Sequence, residues 1–138
     1  MPVLGIDPGT RKCGYAVIAG PGSVPLAIGI VETGRLAGVV DELVARFAVE
    51  AIALGSGTYA PPVEALLAPT GVRITVVDER ETTLRARARY FADNPPRGWR
   101  RWIPRGMLLP PRPIDDYAAL LIAERFFAGS GPPADTPV

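Results

Sequence analysis

Three short apolar runs separated by turns open the chain, and they restrict its architecture more than anything downstream. Val3-Leu4-Gly5-Ile6 reaches Asp7 and stops at the turn Pro8-Gly9-Thr10. Gly14-Tyr15-Ala16-Val17-Ile18 follows, then the turn Gly20-Pro21-Gly22, then an apolar stretch from Leu26 to Val31. Strands this short, joined by so few residues, pair as an antiparallel meander. From Leu36 the period changes. Leu36, Val39, Val40, Leu43 and Phe47 recur at the spacing of an amphipathic helix.

The rest of the chain alternates between the two periods. Ala51-Ile52-Ala53-Leu54 reads as a buried strand ended by Gly55-Ser56-Gly57. Val63 to Leu67 reads as a helix, with Pro61 and Pro62 tolerated near its start and Gly71 ending it. Residues 72–77 are rich in β-branched side chains and form the clearest strand. Helices are expected from about Glu79 to Phe91 and from Asp115 to Phe127. The order, β-β-β-α-β-α-β-α, implies an α/β fold with a mixed sheet and helices on its faces. Residues 94–112 hold too much proline for a regular element. The expected domain is 1–128, with 129–138 a flexible tail.

Composition removes several kinds of chemistry. The chain has no histidine and one cysteine, Cys13. Histidine-based triads, histidine-bearing zinc sites and internal disulfides are therefore excluded. Carboxylates are left as the leading chemical groups. The first seven residues have no basic leader, and no apolar run reaches the roughly 18 residues a membrane span needs. A soluble cytoplasmic protein without a membrane partner is the expectation.

The net charge of +1 hides a segregated pattern. Residues 1–72 carry four basic against six acidic side chains, 73–112 carry ten against four, and 113–138 carry one against four. A polyanion responds to the local cluster, because charges farther off than about 8 Å are screened at physiological salt.

Four places carry candidate chemistry. Asp7 ends a buried strand, where a carboxylate needs partners or a metal, although it could equally cap the Asp-Pro-Gly turn. Asp78 and Glu79 sit where strand 72–77 gives way to a helix, at the carboxyl edge where ligands gather in parallel sheets. Asp78 reads as a helix cap and Glu79 as a ligand. Asp115 and Asp116 open the last helix. One acid suffices as a cap, and two adjacent acids repel unless a positive charge lies near. Three such centres suit Mg²⁺ or Mn²⁺. Arg85 and Arg89 share one helix face, with Glu81 one turn earlier, as a solvated salt-bridged face would have them. Arg97, Trp99, Arg100, Arg101, Trp102 and Arg105 interleave cations with indoles, a pattern that suits phosphates and stacked bases. Arg11 and Lys12, beside Asp7, join that nucleic-acid-binding set. One of the tryptophans could instead anchor its loop to the core.

The stretch from Val3 to Val17 resembles the opening of the RuvC-like and YqgF/RuvX-like nucleases of the ribonuclease H-like superfamily. Asp78-Glu79-Arg80-Glu81-Thr82-Thr83 is similar to the YqgF signature Asp-Glu-Arg-x-Thr-Thr. The run from Ile114 to Ile122 resembles its last motif, an Asp before an Ala-Ala-x-Leu-Ile helix. In the RuvC branch the second acid follows the fourth strand, where this chain has Gly55-Ser56-Gly57-Thr58. The resemblance implies an RNase H-like fold, with a five-stranded mixed sheet whose first three strands are antiparallel and with helices on both faces. It implies Asp7, Glu79 and Asp115 as catalytic, metal-binding acids, with Asp116 and Asp78 as possible additional acids. It implies a Mg²⁺- or Mn²⁺-dependent nuclease acting on structured nucleic acid, as in YqgF-like processing of pre-16S ribosomal RNA. The alternatives are a Holliday-junction resolvase, active on branched DNA as a dimer, and a non-catalytic nucleic-acid-binding domain. The chain is expected to be a monomer or a homodimer. A sugar-kinase-like ATPase shares the Asp-x-Gly-Thr loop but needs two such domains, and this length supplies one.

Overall fold

A computed structural model describes residues 1–78, 82–95 and 115–129, with the side chains of 82–87 and 129 outside the description. Five strands form one sheet: β1 (Val3–Asp7), β2 (Lys12–Ile18), β3 (Ala27–Glu32), β4 (Ala51–Gly55) and β5 (Arg73–Val77). Their spatial order is β3-β2-β1-β4-β5. The first three are antiparallel neighbours, and β4 and β5 run parallel to β1. Among the described residues four α-helices accompany them: α1 (Leu36–Phe47), α2 (Ala60–Leu67), α3 (Thr82–Asp93) and α4 (Asp115–Gly129). Among the described residues two helices follow β5, both expected from the sequence, so the string β-β-β-α-β-α-β-α falls one helix short.

Several boundaries differ from expectation for local reasons. Helix α2 starts at Ala60, three residues early, because prolines in a first turn lack only N–H groups that no helix bond needs. Gly71 does end that region, at φ +76°. Helix α3 continues to Asp93, where the Asn94 side chain and backbone N–H both donate to the Tyr90 carbonyl at 3.0 and 2.8 Å. Its expected start near Glu79 lies outside the described residues, as do residues 96–114 and the expected tail from residue 130. Asp78, the expected cap, is described and is not helical, and α3 is described from Thr82. No described helix is long and apolar enough to cross a membrane.

The two faces of the sheet are built differently. Side chains alternate along a strand, so Leu4, Ile6, Ile52 and Leu54 face one way. They pack with Leu36, Val40 and Leu43 of α1 and with Val63 and Leu67 of α2. Val3, Ala16, Ala51 and Ala53 face the other way, against Ala119, Ile122, Ala123 and Phe126 of α4. On that second face Gly5 leaves room for α4. A Cβ there would overlap the Ala119 carbonyl oxygen and lie 2.9 Å from the Ala123 backbone nitrogen and Cβ. Gly14 does the same for the first turn, where a Cβ would overlap the Asp115 carbonyl. The helix therefore rests backbone-on-backbone against β1 and β2.

Two glycine substitutions should accordingly move stability in opposite directions. Gly5→Ala forces backbone apart and should cost about 1–3 kcal/mol, lowering the melting temperature by several degrees. Gly38→Ala in α1 meets nothing within 4 Å. It should stabilise by up to about 1 kcal/mol, since alanine loses less entropy in a helix. Paired thermal melts measure both.

Candidate functional site

The carboxyl edge of the parallel strands collects the acids. Asp7 is the last residue of β1, and by alternation it faces the α4 side with Val3 and Gly5. Its antiparallel partner is Gly14. Because α4 begins on Gly14, Asp115 starts its helix directly across the β1–β2 pair from Asp7. Facing residues in such a pair lie roughly 5 Å apart. Residues 7 and 115 thus lie at the same corner of the sheet although most of the chain separates them.

Electrostatics at this corner are unbalanced. Burial pushes the Asp115 carboxyl above its ordinary value of 3.8; neighbouring Lys12 pulls it down, and Asp116 pushes it up again. Asp116 is only 7% exposed, and its Oδ1 accepts the Tyr117 N–H at 2.9 Å. Lys12 heads β2 on the α4 face, opposite Glu32. Arg11 is exposed beside it, at the hairpin tip.

Asp78 follows β5 at the same edge, half-buried. The strands align Ile6 with Leu54 and Leu54 with Val76, so Asp78 lies two strands from Asp7, roughly 10 Å in the sheet direction. Glu79 lies outside the described residues. Among the described residues no group of three acidic or cysteine side chains is close enough to hold a metal ion. Strand β4 ends at Gly55 with no acid, as its sequence indicated.

The loop after Asp7 is clamped by a residue that sequence reasoning missed. Thr33, 7% exposed, donates its hydroxyl to the Gly9 carbonyl at 2.8 Å. The buried Cys13 Sγ is 3.4 Å from that hydroxyl and 3.7 Å from the same carbonyl. The Thr33 N–H donates to the Arg11 carbonyl at 2.8 Å. Gly9 is needed here, since a Cβ would strike the Lys12 carbonyl oxygen. Thr33 lies just past β3, and only the meander brings it to this loop. No sequence signal marked it.

Helix α3 is tied to α4 rather than left open. Arg89 pairs with Glu124 at 3.3 Å, so this expected nucleic-acid contact is engaged within the protein. The Tyr117 hydroxyl donates to Asp93 at 3.0 Å; burial first, then that bond, raises its pKa. Tyr90 stacks edge-on against both Phe91 and Tyr117. Arg85 lies on α3, one turn before Arg89, with its side chain outside the description. Arg97, Trp99, Arg100, Arg101, Trp102 and Arg105 all fall outside the described residues.

The sheet order, with three antiparallel strands continued by two parallel ones and a helix laid across β1 and β2, is that of the RNase H-like α/β fold. Solved structures agree. A structure of Thermus thermophilus RuvC matches with 22% identity and a TM-score of 0.59, covering 93% of this chain and 95% of that one. T. thermophilus RuvC in complex with Holliday junction substrate matches with 24% identity and a TM-score of 0.60, covering 95% and 96%. The likeness establishes the fold. No family model matches the chain, and no curated protein matches it.

Two measurements test the corner. Thr33→Val removes the donor to Gly9 and should cost about 1–2 kcal/mol by denaturant titration, with Thr33→Ser recovering most of it. Asp115 sets a pH dependence. Its carboxyl is raised in the folded state, so the native protein holds that proton more tightly than the unfolded chain does. Its contribution to stability should fall as pH rises from 3.8 through the raised value. Asp115→Asn should remove this decline from a plot of melting temperature against pH; an unchanged slope would contradict the assignment.

Proposed function

We propose that the protein is a divalent-metal-dependent nuclease that hydrolyses phosphodiester bonds in structured nucleic acid. The observation that carries this reading is the seating of Asp115 on Gly14, across the strand pair from Asp7. It brings two carboxylates to one corner of the sheet's carboxyl edge, the usual ligand position in open α/β sheets.

The donors fit a hard cation. They are carboxylate oxygens, and the half-buried Asp115 beside Asp116 is a site of excess negative charge that a cation relieves. Asp7, Glu79 and Asp115 would hold Mg²⁺ or Mn²⁺, with Asp78 and Asp116 as neighbouring acids. Asp115 is the better ligand of its pair, because Asp116 is more buried and already accepts a backbone N–H. A bound divalent ion supplies the charge that acidifies water and neutralises phosphate oxygens during in-line displacement. Thr33 and Gly9 hold the loop beside Asp7 in place. Arg11 and Lys12 at the hairpin tip bind backbone phosphates next to the acids. The arginines and tryptophans of 97–105 are further candidates for phosphate and base contact in this reading.

The substrate in this reading is structured RNA, in the manner of YqgF-like processing of pre-16S ribosomal RNA in the cytoplasm. The Asp78-to-Thr83 signature supports it, as does β4 ending without an acid. A second reading, cleavage of a four-way DNA junction, is favoured by the shared fold with RuvC bound to a Holliday junction.

A single cleavage panel decides among these. Ribosomal-RNA precursor, single-stranded RNA and a four-way DNA junction are each offered with Mg²⁺ and with Mn²⁺. The precursor should be cut, and Asp7→Asn should stay folded yet lose about a hundredfold or more, since even outer partners of metal ligands cost 10–100-fold. Cutting of the junction alone selects the second reading. Undiminished cleavage by Asp7→Asn would overturn both.

A further inference from the structure

The sheet face that carries Asp7 continues outward to β5, and there it forms a cavity. It measures about 420 Å³ and is lined by Arg73, Thr75, Val77 and Asp78 along β5 and by Arg125 and Phe126 of α4. Arg73, Thr75 and Val77 alternate along the strand, so they share the α4 face. The cavity is polarised along its length. Asp78 closes the end nearest the catalytic edge, and Arg73 occupies the far end of the strand. That separation is roughly 16 Å for five residues of extended chain.

The two arginines distinguish this cavity from an ordinary surface groove. Both are exposed, and among the described residues neither side chain has a hydrogen bond or ion pair. The acid beside Arg125 in sequence, Glu124, is taken up by Arg89. Two cations from different elements therefore share one concave site with a threonine hydroxyl and no neutralising carboxylate at their end. Guanidinium groups recognise phosphate oxygens through paired donors. Val77 and Phe126 give the floor an apolar surface. Neither arginine stands out in the sequence, because Arg73 lies in a strand and Arg125 among helical residues.

We propose that this cavity is a phosphate-binding subsite for the nucleic-acid strand that runs from the catalytic edge across β5, with Arg73 and Arg125 each neutralising a backbone phosphate. The proposal rests on the nuclease reading for the identity of its ligand. Asp78 repels a phosphate at its own end, so the strand is held several nucleotides from the acids rather than beside them. The subsite sets affinity and register, and takes no part in bond cleavage.

The test is binding, measured apart from cleavage. In the Asp7→Asn background, fluorescence anisotropy with a labelled single-stranded oligonucleotide is recorded across salt concentrations. It compares the otherwise unaltered protein with Arg73→Ala, Arg125→Ala and the double variant. Arg46→Ala, on the opposite face of the sheet, serves as control. The double variant should bind at least about tenfold more weakly. Its slope of log K against log salt should be shallower by roughly 1.4, at about 0.7 for each of two single-strand phosphates left without its arginine. Equal weakening in the Arg46→Ala control, or an unchanged slope in the double variant, would overturn the proposal. Inorganic phosphate and a mononucleotide are run as competitors. Competition as strong as that of an unlabelled oligonucleotide would assign the cavity to a free anion instead and overturn the strand assignment. If the cleavage panel shows no nuclease activity, the anisotropy result still stands or falls by itself. Where the panel does show cleavage, the double variant with intact Asp7 should raise KM and keep kcat.

Discussion

The contact on which the molecule depends is the seating of α4 directly on the backbone of β1 and β2. Gly5 and Gly14 make it possible, and the alanines at 16, 51, 53, 119 and 123 extend it into a thin interface. The opposite face keeps α1 and α2 at a distance with leucine, isoleucine and valine. A layer of large side chains can repack to absorb small shifts. A helix whose carbonyls touch a strand has nowhere nearer to go, and any added atom moves it outward. The position of Asp115 relative to Asp7 is thereby set by the direct contact of α4 with β1 and β2.

Electrostatics follow from that packing. The helix opens with two acids, and its docking buries one and half-buries the other. The half-buried carboxyl responds with a raised pKa, which Lys12 only partly offsets. A corner that concentrates negative charge would repel a phosphate, so a cation and the nearby basic groups are required if nucleic acid is to approach. The distribution of arginines accords with this. Arg11 stands at the hairpin tip, and Arg73 and Arg125 stand at the far end of β5. Arg89 is instead held by Glu124 and serves the joint between α3 and α4.

Much of the fold was legible in residue order. The turns at 8–10 and 20–22 and the short runs between them set the meander, and the change of period at Leu36 marked the first helix. Element edges were less legible. Helix α2 starts early because its prolines sit in the first turn, where they cost no hydrogen bond. Asp7, Asp78, Asp115 and Asp116 could be singled out because acids next to buried strands or paired at a helix start are chemically expensive. Thr33 could not, because a threonine after an edge strand has many uses. Its hydroxyl acquires one only when β3 folds back against the Gly9 loop.

The order of residues alone established the alternation of strands and helices, excluded histidine chemistry and internal disulfides, and left carboxylates as the leading candidate groups. Those conclusions depend on local periodicity and on which atoms are present, and both are properties of the chain before it folds. Tertiary structure settled which groups meet. It brought Asp115 across from Asp7 through a glycine contact, turned Arg89 inward to Glu124, and opened a cavity between Arg73 and Arg125. Each of these joins residues far apart in sequence, and such distances are fixed by how helices pack on the sheet, which no local pattern encodes.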